Sequence, residues 1–144
     1  PVTKAMVRMQ GTITTGANQF VQRAAIAALE GPREEVERMR LRYRARRDMV
    51  LAGLRDIEGV RIGSIPATFY AFPDVSALLG RKAGNHVMDT TDRLCDWLLE
   101  EYGVAVVPGT AFGAPGSIRL SFAASEADIQ KALGRISSAL NSLV

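Results

Sequence analysis

A chain of 144 residues, 47% apolar and 23% charged, has the size of one domain and enough apolar material for a single core. Its net charge of +3 comes from 18 basic residues against 15 acidic ones, an excess too small to imply a nucleic-acid partner. No apolar run approaches the roughly 20 residues of a membrane helix. Cys95 is the one cysteine, which excludes an internal disulfide or a thiolate metal cluster and fits a reducing cytoplasm.

The opening PVTKAMVRMQ lacks the apolar centre of a signal peptide, and Pro1 reads as a position inside a longer protein. ANQFVQRAAIAALE, residues 17–30, is rich in helix formers and is followed by the stop Gly31-Pro32. A second helix is predicted from about Arg33 to Ile57, where Val36, Met39, Tyr43, Val50, Leu54 and Ile57 fall in one sector of the helical wheel. Val60–Ile62 and Phe69–Phe72 read as short strands, with a loop from Gly80 to Asn85 beyond them. Thr90 or Thr91 can cap a third helix running through Tyr102, and Gly103 can end it. Val104–Val107 and Ile118–Phe122 are predicted strands separated by PGTAFGAPG. Alternation along the second of these puts Ile118, Leu120 and Phe122 on one face and Arg119 and Ser121 on the other. Ser125 and Asp128 form a capping-box pattern for a last helix carrying Ile129, Leu133, Ile136, Leu140 and Leu143. The order implies an α+β fold: a small, partly antiparallel sheet with helices packed on one face.

Arg38, Arg42 and Arg46 border one side of the apolar sector, and Arg40, Arg44 and Arg47 border the other. They are interleaved with Glu34, Glu35, Glu37 and Asp48, which suits a solvated face with ion pairs one turn apart better than a phosphate-binding surface. His86 has no second histidine for a metal pair and reads as a surface-loop residue. Cys95 lies beside Trp97 with no histidine at helical spacing, which describes a buried structural thiol. Arg119 differs from all of these. An arginine on the polar side of a short apolar strand, just after a glycine-rich loop, can meet a carboxylate through two parallel hydrogen bonds, although a structural salt bridge would also account for it.

VVPGTAFGAPGSIRLSFA, residues 106–123, resembles the C-terminal signature of class I/II, aspartate-aminotransferase-type enzymes, in which a PG-x-x-FG loop precedes an R-L-S strand. ALEGPREEVERMRLRYRARRDMVLAGL resembles the family's long interdomain helix, and ATFYAFPD its G-A/T-F-Y strand. The resemblance covers essentially all 144 residues in the family's order. It implies that residues 1–144 are the single C-terminal, substrate-closing domain of a type I pyridoxal-phosphate fold, with residues 1–32 leading from the large domain. It also implies that Arg119 binds the substrate α-carboxylate and that Phe69 lies near the substrate side of the cofactor pocket. Such enzymes are homodimers that move an amino group between an amino acid and a 2-oxo acid through pyridoxamine phosphate.

None of Lys4, Lys82 or Lys131 has the serine-lysine setting of the family's aldimine lysine. No catalytic residue is therefore assigned to this chain, and pyridoxal phosphate is expected in the parent enzyme, not on this segment. Thr15-Gly16-Ala17-Asn18 departs from the family's turn beside a neighbouring subunit's cofactor phosphate, so that role is not carried over. Ala67 stands where the family often has glycine. The alternatives are the effector domain of an aminotransferase-like transcription regulator and a non-catalytic dimerisation or binding module. Expected partners are amino-acid and 2-oxo-acid substrates, the large domain and a second subunit, with neither nucleic acid nor membrane.

Overall fold

The computed structural model describes residues 1–14 and 16–144; Thr15, the first residue of the Thr15–Asn18 stretch, lies outside them. The chain divides into two compact units, Pro1–Arg38 and Met39–Val144. The first contains α1 (Val2–Ile13), α2 (Gln19–Glu30) and the start of α3 (Glu34–Arg55). No side-chain cap opens α1, and Thr3, Val7, Gly11 and Thr12 are weak helix formers, so sequence patterning did not single it out. At α2 the Asn18 side chain accepts the Phe20 N–H at 2.9 Å, and at its other end the Gly31 N–H reaches the Ala27 carbonyl. Neither helix buries a residue within the unit: Met6, Ile13, Phe20 and Leu29 are all exposed.

In the second unit the apolar sector of α3 is used unevenly. Val50 and Leu54 are buried and Ile57 follows them into the core, Tyr43 is half-buried, and Met39 is exposed. Beyond α3 come β1 (Tyr70–Ala71), β2 (Lys82–Ala83), β3 (His86–Val87), α4 (Thr91–Tyr102), β4 (Val107–Pro108), β5 (Ile118–Ser121) and α5 (Glu126–Asn141). The sheet has the order β1-β5-β4 with antiparallel pairing, Tyr70 opposite Ser121 and Val107 opposite Arg119. Ile118 and Phe122 are each 1% exposed and enter a core with Leu54, Leu78, Leu94, Leu98, Ile136 and Leu140. Arg119 and Ser121 occupy the other face, as alternation required. The expected fold class is present: a small α+β layer with antiparallel strands and helices packed on one face.

Three predicted segments took different forms. Val60–Ile62 contributes only a bridge, in which Arg61 and Asp74 exchange two backbone hydrogen bonds of 2.9 and 2.8 Å; Asp74 then turns the chain by accepting the Ser76 N–H. Val104–Val107 pairs only at its end, because the Val104 N–H is taken by the Leu98 carbonyl in the cap of α4 around left-handed Gly103. The segment expected to be a loop at Gly80–Asn85 holds half of a hairpin, with Gly84 at φ +57 leading the two-residue turn. Lys82 of that hairpin also exchanges two backbone hydrogen bonds with Val144, at 2.8 and 3.0 Å. At α5 the Ser125 cap forms, its Oγ accepting the Asp128 N–H at 3.1 Å, and its hydroxyl donates to the Asp128 carboxylate at 2.6 Å.

Candidate functional site

Arg119 sits on the central strand of the three, half-buried, between the ends of two connecting segments. Its guanidinium carbon lies 4.5 Å from the centroid of the Tyr70 ring and 4.3 Å from that of Phe112. Among the described residues it meets no carboxylate and no hydrogen-bond acceptor. A guanidinium in this state keeps its planar fork of donors for an anion brought to it.

Phe112 comes from the glycine-rich loop, whose path is fixed by backbone contacts. The Gly109 N–H donates to the Ser117 carbonyl at 2.7 Å, Ala114 N–H to Gly109 at 2.9 Å, and Ser117 N–H to Ala114 at 3.0 Å. A side chain at Gly109 would run into the Ala114 and Ser117 carbonyl oxygens, so only glycine fits that close approach. The Thr91 hydroxyl donates to the Pro115 carbonyl, Thr110 hydrogen-bonds to Asp92, and the Val75 N–H donates to Gly116. The Phe112 ring is therefore held in place although 47% exposed.

Phe69, the second residue singled out by the sequence, packs against Tyr70. Its ring lies 4.3 Å from that of Tyr70 and 6.4 Å from that of Tyr43, and its carbonyl accepts the Phe122 N–H. Beside it Thr68 adopts φ +71, sparsely populated for a β-branched residue, and its hydroxyl accepts the Tyr70 N–H. This is the path into β1 that follows Ala67. Tyr70 and Phe112 sit inside the motifs ATFYAFPD and PGTAFG, but nothing local in either motif marks them as neighbours of Arg119.

Several of the remaining candidates have structural explanations. Arg38 pairs with Glu35, Arg47 with Asp48, and Arg46 lies 5.6 Å from the Tyr43 ring centroid. His86 is exposed on β3, and among the described residues no group of three or more acidic, histidine or cysteine side chains could hold a metal. Burial, with the Asp92 and Asp96 charges added, pushes the Cys95 thiol up to about 12, so it stays protonated. Hydrogen bonds from Ser76, with Arg61 nearby, hold Asp74 below the usual carboxylate range and secure the turn after β1. Among the described residues no helix is long and apolar enough to cross a membrane.

Arg119 thus lies on the central strand of an antiparallel sheet, beside an aromatic loop closed at Gly109. Residues 1–136 match the family described as aminotransferase class I and II, and the chain belongs to that family. The aspartate aminotransferase of Rhizobium meliloti (strain 1021) is 37% identical over 142 residues, 97% of this chain and 34% of that protein. The crystal structure of the aspartate aminotransferase from Rhizobium meliloti matches with a TM-score of 0.90 and 35% identity, over 98% of this chain and 36% of that one. The aromatic aminotransferase from Pyrococcus horikoshii OT3 matches with a TM-score of 0.80 and 32% identity, over 96% and 35%. The chain spans about a third of the length of the curated relatives it matches. Its α+β layer is part of the type I pyridoxal-phosphate transferase fold.

Proposed function

We propose that residues 1–144 form the C-terminal, substrate-closing domain of a longer homodimeric aminotransferase, with residues 1–32 leading from its large domain. In that enzyme an amino group moves between an amino acid and a 2-oxo acid. Arg119 binds the α-carboxylate that the two substrates share, and Phe69 lies on the substrate side of the pocket. The observation that carries this reading is the half-buried Arg119 guanidinium, ring-flanked and without an acid among the described residues. A bidentate, charge-assisted contact there fixes the orientation of the α-carbon without taking part in bond making.

The cofactor's site does not fit the residues of this chain. An imine-forming lysine is set in an enclosed, desolvated position beside the bound group. Lys4 lies on α1, Lys82 on β2 and Lys131 on α5, and each is exposed. Pyridoxal phosphate, which supplies electron withdrawal from the substrate α-carbon when bound, is therefore assigned to the remainder of the parent, and the segment by itself is assigned no transaminase activity.

Replacing Arg119 by alanine in the full-length enzyme tests the reading. Breaking a desolvated, hydrogen-bonded charge pair costs about 3–5 kcal/mol, so kcat/KM for amino acid and for oxo acid should fall together by roughly two to four orders of magnitude. Cofactor absorbance should persist, and lysine should rescue only in part because an ammonium cannot reproduce the fork. Normal kinetics with a lowered melting temperature would remove Arg119 from the site.

A further inference from the structure

We infer that Phe112 and Tyr70 are positioning residues for Arg119, which they hold between their rings in the orientation that receives a carboxylate. The inference rests on the carboxylate role of Arg119. Arginine carries several rotatable bonds, and a guanidinium without a hydrogen-bonded partner would ordinarily sample many orientations. Here its carbon lies 4.5 Å from one ring centroid and 4.3 Å from the other, within the range where a cation is attracted to the aromatic face. The rings satisfy the charge without consuming an N–H, so the donors stay available. A carboxylate partner in their place would have used up the fork.

The two rings are carried on different elements. Tyr70 lies in β1, opposite Ser121, and is backed by Phe69 at 4.3 Å. Phe112 stands on the loop closed by Gly109, with Phe72 against it edge-on at 6.0 Å.

The test uses Phe112→Leu, Phe112→Tyr and Arg119→Ala in the full-length enzyme. Leucine retains apolar bulk and removes the ring quadrupole; tyrosine retains the ring. Losing one exposed to half-desolvated ring contact should raise KM for amino acid and 2-oxo acid by the same factor, roughly three- to thirty-fold. The Ki of propionate as a competitive inhibitor should rise equally. Arg119 itself remains to orient the α-carbon, so kcat should fall by a smaller factor than KM rises. Phe112→Tyr should keep most of the affinity that Phe112→Leu loses, and the melting temperature of Phe112→Leu should fall by no more than a few degrees. An unchanged KM and Ki in Phe112→Leu, while Arg119→Ala loses activity, would overturn the positioning role and leave the carboxylate role standing. A tyrosine variant as impaired as the leucine variant would overturn it too. Normal kinetics in Arg119→Ala would sink both readings.

Discussion

Gly109→Ala should be among the most damaging single-methyl additions to this domain. The new Cβ would overlap the carbonyl oxygens of Ala114 and Ser117 and lie 2.9 Å from the Ser117 carbonyl carbon. All three are backbone atoms, and they are tied to one another by the hydrogen bonds Gly109 to Ser117, Ala114 to Gly109 and Ser117 to Ala114. No side chain can swing away to make room, so the loop must open. Surrendering two or three of these bonds, at about 0.5–1.5 kcal/mol each, gives a loss of about 1–4.5 kcal/mol. For a chain of this length that corresponds to a fall in Tm of roughly 3–18 °C. Two other glycines calibrate the effect. Alanine at Gly113, where φ is +72 with no atom within 4 Å, should cost only the left-handed strain of about 1 kcal/mol, and alanine at Gly63, in open space, should cost almost nothing. Thermal unfolding followed by circular dichroism on the three variants gives the ranking. A Gly109→Ala protein that melts with Gly63→Ala would refute the close-approach argument.

Two further expectations concern the core. Leu98→Ala removes a side chain with no exposed surface from the buried face of α4 and should destabilise by about 2–5 kcal/mol in urea titrations, with an unchanged m-value. Cys95, with its thiol raised from 9.0 to about 12, should remain unreactive toward a disulfide reagent at pH 8 until the protein is denatured. Because the folded value is the higher one, the associated stability is fully present below the unfolded value and is lost as pH rises through the folded one, so alkaline titration from about pH 9 upward should lower Tm.

The elements that the sequence made legible are those whose signals are local. The Thr90 and Ser125 caps, the left-handed Gly103 and the 3.6-residue spacing along α5 each act within one turn of chain. Arg119 stood out for a related reason, since alternation alone put it on the face away from Ile118 and Phe122. What was missed depends on distant partners. The Val60–Ile62 segment has strand composition, yet Arg61 finds only Asp74 to pair with. Gly84-Asn85 is a hairpin signal in principle, but two-residue strands carry too little alternation to reveal it. Val36 and Met39 fit the apolar sector of α3 and are nevertheless 59% and 51% exposed. Nor can spacing along a chain tell that Tyr70 and Phe112 converge on Arg119, because their meeting is set by sheet register and by the loop.

The strand order β1-β5-β4 has a consequence for how the chain folds. Tyr70 meets Arg119 only after β1 pairs with β5, and that pairing encloses the hairpin, all of α4 and β4 in one large loop. Closing such a loop costs entropy before any contact compensates it, whereas α4 and α5 gain their hydrogen bonds from neighbours a turn away. Helical content can therefore be complete while the arginine still lacks one of its rings, and a partly folded chain would display its helices before the Tyr70–Arg119 contact exists.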